Sequence, residues 1–203
     1  GSSHAVAVKN NGSVYTWGDN IGGQLGTGNT TSSNTPAQVA GFSGATKAAA
    51  GSKHTIVLKS DGTVWGWGNN AFSQLGAASP SSSYTPIQVP GLTSITAIAS
   101  GDSHNLALKS DGTVWSWGIN SKGQLGRSVG STGTTGQITG LTGIVAIAAG
   151  KNYSLAVKND GTVWAWGENS DGQLGNGTTT DASTPVQVTG LSGITSVSGG
   201  LNH

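Results

Sequence analysis

The stretch that decides the fold is KSDGTVWGWGNN, from Lys59 to Asn70. Near copies of it begin at Lys9 (KNNGSVYTWGDN), Lys109 (KSDGTVWSWGIN) and Lys158 (KNDGTVWAWGEN). Each copy carries an Asn-Gly or Asp-Gly pair, which is typical of a two-residue loop between antiparallel strands. Valine and aromatic residues, which favour strands, follow the pair. The stretch therefore predicts a β-hairpin that occurs four times along the chain.

The hairpin belongs to a longer repeat, which is marked by the motif G-x-x-H. The motif occurs, with Tyr in place of His once, at Gly1, Gly51, Gly101, Gly150 and Gly200. The repeat units are therefore residues 1–50, 51–100, 101–149 and 150–199. A period of about 50 residues lies in the range of β-propeller blades. We expect a single propeller domain over residues 1–203, with four blades per chain.

Four short strands are predicted in each unit. The first follows G-x-x-H and alternates apolar residues, as in Asn105 to Lys109, and the hairpin leads into the second. The third begins near a proline, as in Thr85 to Val89, which suits an outer edge because proline cannot donate to a ladder. The fourth, such as Ile95 to Ser100, has small residues that fit the centre of a ring. The third unit has Gly136-Gln137-Ile138 where the others have Pro-x-Gln-Val, so its outer strand is predicted to be the least regular.

Composition limits the classes of partner. Lys and Arg number 9 and Asp and Glu number 8, so the basic surface that binds nucleic acid or anionic lipid is missing. No apolar run approaches the length of a membrane span, and there is no Cys for disulfides or thiolate metal sites. We therefore expect no nucleic-acid partner and no membrane insertion. The compartment stays open, with a secreted or cell-surface bacterial protein slightly favoured over a cytoplasmic one.

The whole chain resembles the regulator of chromosome condensation repeat family. The resemblance is carried by G-x-x-H, D-G-T-V-W-x-W-G, N-x-x-G-Q-L-G and T-P-x-Q-V, which recur over essentially all 203 residues. It implies an all-β propeller, usually of seven blades. It also raises guanine-nucleotide exchange as an activity, because the namesake of the family acts on a small GTPase through an inserted wedge. No unit here contains such an insertion, which disfavours that activity.

Four units do not fill a seven-bladed ring. The first unit lacks an innermost strand of its own, and residues 194–200 are expected to complete the first blade of this or a second chain. Pairing with a second copy gives eight blades about 45° apart, closer to the roughly 51° of seven blades than the roughly 90° of four. We therefore favour an eight-bladed ring formed by a homodimer. A closed four-bladed monomer and a fragment of a seven-bladed propeller are the alternatives.

The distinctive side chains of the repeat are interpreted as structural. His4, His54 and His104 share one repeat position with Tyr153, and a position that accepts tyrosine does not need a general base. Tryptophans two residues apart on a strand point to one face, so they are expected to pack between blades rather than bind a sugar. They are Trp17, Trp65, Trp67, Trp115, Trp117, Trp164 and Trp166. We predict no catalytic residue, no cofactor and no metal site.

Variation between the units marks the candidate binding surface. The Asp-Gly end is nearly constant, whereas the loops after Trp-Gly and the pairs inside G-x-x-H differ. Both loop sets should lie at one end of the ring, and loops on a rigid scaffold often carry binding. We therefore predict a non-enzymatic scaffold that binds a protein partner through this rim. The candidate contact residues are Asp19, Ile21, Lys53, Asn69, Phe72, Asp102, Ile119, Lys122, Lys151, Glu168 and Asp171.

A ligand-binding or hydrolytic propeller is the alternative function. Such a propeller holds a small molecule or a carbohydrate with polar groups that converge on the central channel. The predicted innermost strands offer mostly Ala, Ser, Thr and Ile, with Lys47 as their one charged residue. The sequence therefore favours the rim over the channel.

Overall fold

The protein is built from four antiparallel β-sheets. The computed structural model describes every residue from Gly1 to His203. No helix long and apolar enough to cross a bilayer is present. The strands are β1 (His4–Val8), β2 (Val14–Gly18), β3 (Ser33–Gln38), β4 (Ala45–Ala50), β5 (His54–Lys59), β6 (Val64–Asn69), β7 (Ser82–Gln88), β8 (Ile95–Ser100), β9 (His104–Lys109), β10 (Val114–Ile119), β11 (Thr132–Gln137), β12 (Ile144–Ala149), β13 (Tyr153–Lys158), β14 (Val163–Gly167) and β15 (Ala182–Gln187).

Each sheet is one blade of a propeller, which confirms the predicted fold. Blade 1 contains β1 to β3, and blades 2, 3 and 4 contain β4 to β7, β8 to β11 and β12 to β15. The small-residue strand β8 contacts both β4 and β12, so these three strands line the axis. The third strand of each sequence unit lies at the outer edge of its sheet. The fourth strand of each of the first three units thus becomes the first strand of the next blade.

The Asp-Gly hairpin forms, but its loop is one residue longer than predicted. In blade 2 the loop is Ser60 to Gly62, closed by Lys59 N–H donating to Thr63 O at 3.0 Å. Gly62 alone takes the left-handed conformation, with φ of 77°. Asp61 instead accepts hydrogen bonds from the Thr63 hydroxyl at 2.6 Å and the Thr63 amide at 2.9 Å, which lower the pKa of its carboxyl. The aspartate therefore closes the turn with its side chain, in a three-residue loop with a glycine bulge.

The outer strand of blade 3 is as regular as the others, contrary to the prediction. β11 has six residues and the same bulge against its neighbour as the outer strands of the other blades. The guanidinium of Arg127 donates to Ser116 O at 3.0 Å and to Thr134 O. A Cβ on Gly136 would lie 2.8 Å from the Arg127 Cζ. The arginine thus occupies the space that the glycine leaves and ties the strand to β10.

Buried tryptophans join each blade to the one before it. Trp67, Trp117 and Trp166 are fully buried and pack on apolar side chains of the preceding blade. Each indole N–H donates to the glutamine carbonyl of the preceding Gln-Leu-Gly motif, which satisfies a donor that would be costly to bury alone. The pairs are Trp67 with Gln24 at 2.9 Å, Trp117 with Gln74 at 2.8 Å and Trp166 with Gln124 at 2.9 Å.

The first tryptophan of each pair lies nearer the surface. Trp65, Trp115 and Trp164 are partly buried, at the level of the Asp-Gly turns. The ammonium groups of Lys59 and Lys109 lie 5.2 and 5.5 Å from the ring centroids of Trp65 and Trp115. The lysine heads thus cover the outer indoles and stay in contact with water.

The arc of blades is open at both ends. β1 pairs with β2 alone, so blade 1 has three strands. Residues 194–200 follow blade 4 and form no strand in the single chain. A closed four-bladed ring within one chain is therefore not what the structure has, because β1 and residues 194–200 do not pair.

Candidate functional site

Two sets of loops meet at one end of the arc and form the variable rim. We define this rim as the loop residues 19–23, 69–73, 119–123 and 168–172, together with the pairs 2–3, 52–53, 102–103 and 151–152. In each blade the first loop residue donates its amide to the carbonyl of the neighbouring pair. These bonds are Asp19 to Ser3 at 2.9 Å, Asn69 to Lys53 at 2.8 Å, Ile119 to Ser103 at 2.9 Å and Glu168 to Asn152 at 2.9 Å. The structure therefore brings the candidate residues to one end of the molecule.

Each rim loop is held in shape from inside by an asparagine and a glutamine. In blade 1 the Oδ1 of Asn20 accepts from Leu25 N–H at 2.9 Å, and its Nδ2 donates to two loop carbonyls at 3.0 Å. The Oε1 of Gln24 accepts from Gly22 N–H at 2.8 Å. Both side chains are fully buried. The sequence carries a signal for this role, since both residues recur four apart in all four units, but the prediction did not use it.

In blades 1 and 2 the side chain of the first loop residue accepts a hydrogen bond from the glutamine of its own loop, and in blades 3 and 4 it does not. Asp19 Oδ2 accepts from Gln24 Nε2 at 2.8 Å, and Asn69 Oδ1 accepts from Gln74 Nε2 at 3.0 Å. Ile119 cannot accept, and the buried Nε2 of Gln124 has no partner. Glu168 turns to Asn152 Nδ2 at 3.1 Å, which leaves the buried Nε2 of Gln173 without a partner. Asp19 and Asn69 are therefore engaged within the loops.

Replacing Ile119 by asparagine is expected to stabilise the protein by about 1 kcal/mol, because the amide oxygen reaches the unpartnered Gln124 Nε2. The reverse change, Asn69→Ile, leaves Gln74 Nε2 unpaired and is expected to cost about 1–3 kcal/mol. Urea unfolding of both variants measures the two effects. A loss of stability in Ile119→Asn would show that this position does not govern the glutamine.

A cluster of charged side chains joins the rim of blades 3 and 4. Lys122 Nζ lies 3.4 Å from Glu168 Oε1 and 3.4 Å from Asp181 Oδ2. The charge of Asp181, followed by the hydrogen bonds to both carboxylates, raises the pKa of Lys122. Lys122 and Glu168 therefore neutralise each other, whereas Asp171 on the same loop is exposed and outside any ion pair.

Exposed apolar side chains lie on the rim of blades 1 and 2. Ile21 is 75% exposed and Phe72 is 41% exposed, whereas Ile119 is half-buried. Lys53 stands between the two loops. Its carbonyl bonds to the loop of Phe72, and its Cβ lies 3.4 Å from where a Cβ on Gly22 would be. Blades 1 and 2 thus present a continuous surface with two apolar side chains and the exposed, unpaired Lys53.

The loop that carries Phe72 contains a non-glycine residue in a conformation that favours glycine. Ser73 has φ of 61°, where the other three loops have Gly23, Gly123 and Gly172 at 77° to 80°. A left-handed conformation costs a residue with a Cβ roughly 1–2 kcal/mol. The surrounding hydrogen bonds hold this strain beside the exposed phenyl ring, and such strained residues are concentrated at functional sites.

A shallow cavity opens on the axis at the level of the rim. Its volume is about 450 Å³, and the five glycines of the repeat motif are among the twelve residues that line it. Asp102 and Lys151 are its charged residues. Backbone bonds run around it, from Ser52 N–H to Asp102 O at 2.9 Å and from Asp102 N–H to Lys151 O at 3.1 Å. The lining holds a single carboxylate, and the chain has no group of three or more His, Cys, Asp or Glu side chains arranged to hold a metal.

The repeat histidines lie beneath the rim and join successive blades. His54 Nε2 lies 2.8 Å from Asn105 Oδ1, so this nitrogen carries the proton, and Asn105 in turn donates to Gln74 O at 3.0 Å. A Cβ on Gly51 would collide with the imidazole of His54, which explains the glycine of the motif. The equivalent contacts join His4 to Thr55 at 2.8 Å and His104 to Ser154 at 3.0 Å.

Burial keeps these histidines neutral. Desolvation lowers the pKa of His54 to about 4 and that of His104 to about 3, and each has an Nδ1 without a partner. Desolvation, with the neighbouring N-terminal charge as a smaller cause, lowers the pKa of His4 to about 4. Nitrogens this deep below the surface have the geometry of structural groups rather than of bases that meet a substrate.

Comparison with known proteins places the arc in a recognised family of propellers. A model of the RCC1-like domain matches residues 1–203. Two larger enzymes contain one similar stretch each. The serine/threonine-protein kinase Nek8 of Danio rerio is 47% identical over 51 residues, 25% of this chain and 7% of that protein. The human E3 ubiquitin-protein ligase HERC2 is 45% identical over 53 residues, 25% of this chain and 1% of that protein.

Two solved propellers superpose on the arc. Human WBSCR16 gives a TM-score of 0.88 at 25% identity and covers 99% of this chain and 54% of its own. Prp20p of Saccharomyces cerevisiae, described with its binding properties to Gsp1p and histones, gives 0.80 at 23% identity and covers 93% of this chain and 49% of its own. The chain therefore spans about half the length of these propellers and a small part of the kinase and the ligase.

Proposed function

Because the chain belongs to the RCC1-like domain family, we propose that it is a non-enzymatic binding module that holds a protein partner on its variable rim. The observation that carries the proposal is the pair Ile21 and Phe72, which are exposed on adjacent loops of a rigid scaffold. Exposed apolar side chains with charged neighbours are typical of protein interfaces, where a few such anchors dominate affinity.

The charges around this pair indicate the chemistry of the partner. Lys53 lies between the two loops, and Asp102 and Lys151 line the adjacent cavity, so both signs of charge are available without an ion pair of their own. We expect the partner to carry an apolar side chain that packs on Ile21 and Phe72 and an acidic group that pairs with Lys53. Lys122 is already paired with Glu168 and Asp181, so its charge is engaged within the rim.

The test compares partner capture by three forms of the chain. Immobilised wild type, the double variant Ile21→Ser/Phe72→Ser and Val145→Ser are exposed to extract of the source organism, and retained proteins are quantified by mass spectrometry. Val145 is the matched control because it is 54% exposed and lies at the opposite, Asp-Gly end. Proteins kept by wild type and control but lost by the double variant support the proposal. Equal retention by all three forms, or none by wild type, contradicts it.

We propose in addition that the rim is presented by a complete ring made of two chains. One chain carries four blades and spans about half of the related propellers. Two copies therefore supply eight blades, an arrangement that places two variable rims on one end of the ring.

A further inference from the structure

The outer aromatic ring of blade 4 lacks the lysine that covers its equivalents. In blades 1 to 3 the lysine before the turn lies over this ring. The distances from its ammonium to the ring centroid are 4.3 Å at Tyr15, 5.2 Å at Trp65 and 5.5 Å at Trp115. In blade 4 the ammonium of Lys158 instead lies 3.6 Å from Asp160 Oδ2, an ion pair that no other turn forms. The indole of Trp164 therefore has no ammonium above it.

The space beside this ring is filled at the other two contacts between blades. Between blades 1 and 2, the ring of Phe42 lies edge-on to Trp65, with the ring centroids 5.8 Å apart. Between blades 2 and 3, the hydroxyl of Thr135 in β11 donates to Pro90 O at 2.9 Å, so the outer strand is tied to the linker after β7. The equivalents of Phe42 and Thr135 between blades 3 and 4 are Leu141 and Pro185. Leucine is smaller than phenylalanine and proline has no hydroxyl, so both closures are missing there.

A cavity of about 190 Å³ opens between blades 3 and 4 at this place. It lies between the linker after β11 and the strands of blade 4, at the level of the Asp-Gly turns and away from the variable rim. An indole, a proline ring, three threonines and a lysine line it: Trp164, Pro185, Thr139, Thr142, Thr184 and Lys158. Sites for drug-sized ligands occupy roughly 300–1,000 Å³, so this cavity has the size of a single ring.

The lining combines indole carbon atoms with polar groups that are free to bond. Trp164 packs on the core between blades 3 and 4, and its N–H donates to the Thr162 hydroxyl at 3.2 Å, so the ring offers carbon to the cavity. The three lining threonines are exposed, and their hydroxyls make no hydrogen bond within the protein, unlike that of Thr135. Lys158 is the one charged residue of the lining, and Asp160 balances its charge.

We propose that this cavity binds one neutral pyranose ring of a carbohydrate. The C–H face of a pyranose is apolar and packs on the carbon atoms of Trp164, whereas the hydroxyl groups at its edge bond to the threonine hydroxyls and to Lys158. The balanced charge of Lys158 favours a neutral sugar over an acidic one. The site is separate from the variable rim, so it does not depend on partner binding there.

A proline-rich peptide is the other class of ligand that binds to exposed aromatic rings. Such a peptide is extended and docks in an aromatic-lined groove that follows several of its residues. The cavity has one aromatic ring and the size of one ligand ring. Its free hydroxyls match the many hydroxyl groups of a sugar better than the few polar groups of a proline-rich chain.

Titration with methyl glycosides tests the proposal, with the seven indole N–H signals of the chain as reporters in nuclear magnetic resonance spectra. The probes are methyl β-D-glucopyranoside, methyl β-D-galactopyranoside and methyl α-D-mannopyranoside at millimolar concentrations, and a proline-rich peptide is the comparison. At least one glycoside is expected to shift the Trp164 signal to saturation and to leave the signal of Trp115, at the same repeat position, unchanged. Absence of a saturable shift with all three glycosides overturns the proposal, whatever the peptide does.

Leu141→Phe blocks the cavity, because it copies the residue that fills the equivalent space between blades 1 and 2. It is expected to weaken glycoside binding by about tenfold or more. Leu92→Phe is the matched control, since it is the same change at the same repeat position between blades 2 and 3, and it leaves the affinity unchanged. Equal weakening by both variants, or full affinity in Leu141→Phe, overturns the proposal.

A variant confined to exposed side chains separates ligand binding from folding. Thr139→Val/Thr142→Val/Thr184→Val removes the three free hydroxyls and leaves the stability nearly unchanged, because surface substitutions of this kind have small effects. Its glycoside affinity is expected to fall by about tenfold or more, since several hydrogen bonds are lost together. Urea unfolding confirms that the variant is as stable as the wild type. An unchanged affinity in this folded variant contradicts the proposed contacts.

Discussion

Replacing Trp117 by alanine is expected to lower the free energy of unfolding by about 3–5 kcal/mol. Its ring is fully buried between blades 2 and 3, against Leu92 and Ile95. Its N–H donates to Gln74 O at 2.8 Å, so the truncation removes packing and a hydrogen bond at once. Urea unfolding followed by circular dichroism measures the loss.

Trp17 is the matched control for this change. It holds the same repeat position in blade 1, but it is partly exposed and its N–H has no acceptor. Trp17→Ala is therefore expected to cost less than about half as much as Trp117→Ala, at chain concentrations low enough to prevent association. Equal losses at the two positions would show that the contact between blades does not set the contribution of the indole.

Acidification from about pH 7.5 to about pH 5 is expected to destabilise the protein by roughly 4 kcal/mol through His54 and His104. Burial lowers the pKa of these residues to about 4 and about 3, from an ordinary 6.5 in the unfolded chain. Between those values the unfolded chain binds more protons than the folded one. The stabilisation is therefore complete above pH 6.5 and is lost as the pH falls toward the folded-state values.

The matched variant for this prediction is His104→Tyr, which copies the residue that the fourth unit has at position 153. It removes one titrating group, so the slope of unfolding free energy against pH should fall by about one proton near pH 5. A purely steric effect of the substitution changes the free energy of unfolding by the same amount at every pH and leaves its slope against pH unchanged. An unchanged slope would mean that His104 is protonated in the folded protein.

Most of the fold was predictable because its determinants are close in sequence. The hairpin of Lys59 to Asn70 depends on a turn and on alternating side chains, and both recur with each unit. The innermost position of β4, β8 and β12 followed from their small side chains. The predicted two-residue length of the loop was wrong, because the side chain of Asp61 bonds to Thr63 and closes a three-residue loop. The Asp-Gly pair alone does not reveal this bond.

The candidate site was predictable in place but not in detail. Loop variation located the rim, but it did not separate exposed Phe72 from Asn69, whose side chain is used within the loop. The role of Arg127 in β11 was also missed, because it depends on the position of the guanidinium beside Gly133 and Gly136, which the repeat pattern does not give.

The sequence by itself determined the blade, its repeat and the order of its strands, since these depend on turns and on the alternation of neighbouring residues. Only the tertiary structure decided which equivalent residues are buried and which are open. Trp17 and Trp67 are the same residue at the same repeat position, yet only Trp67 has a preceding blade to supply a carbonyl and a packing surface. Burial is a property of the space beyond a side chain, and that space is filled by the next blade rather than by the next residue.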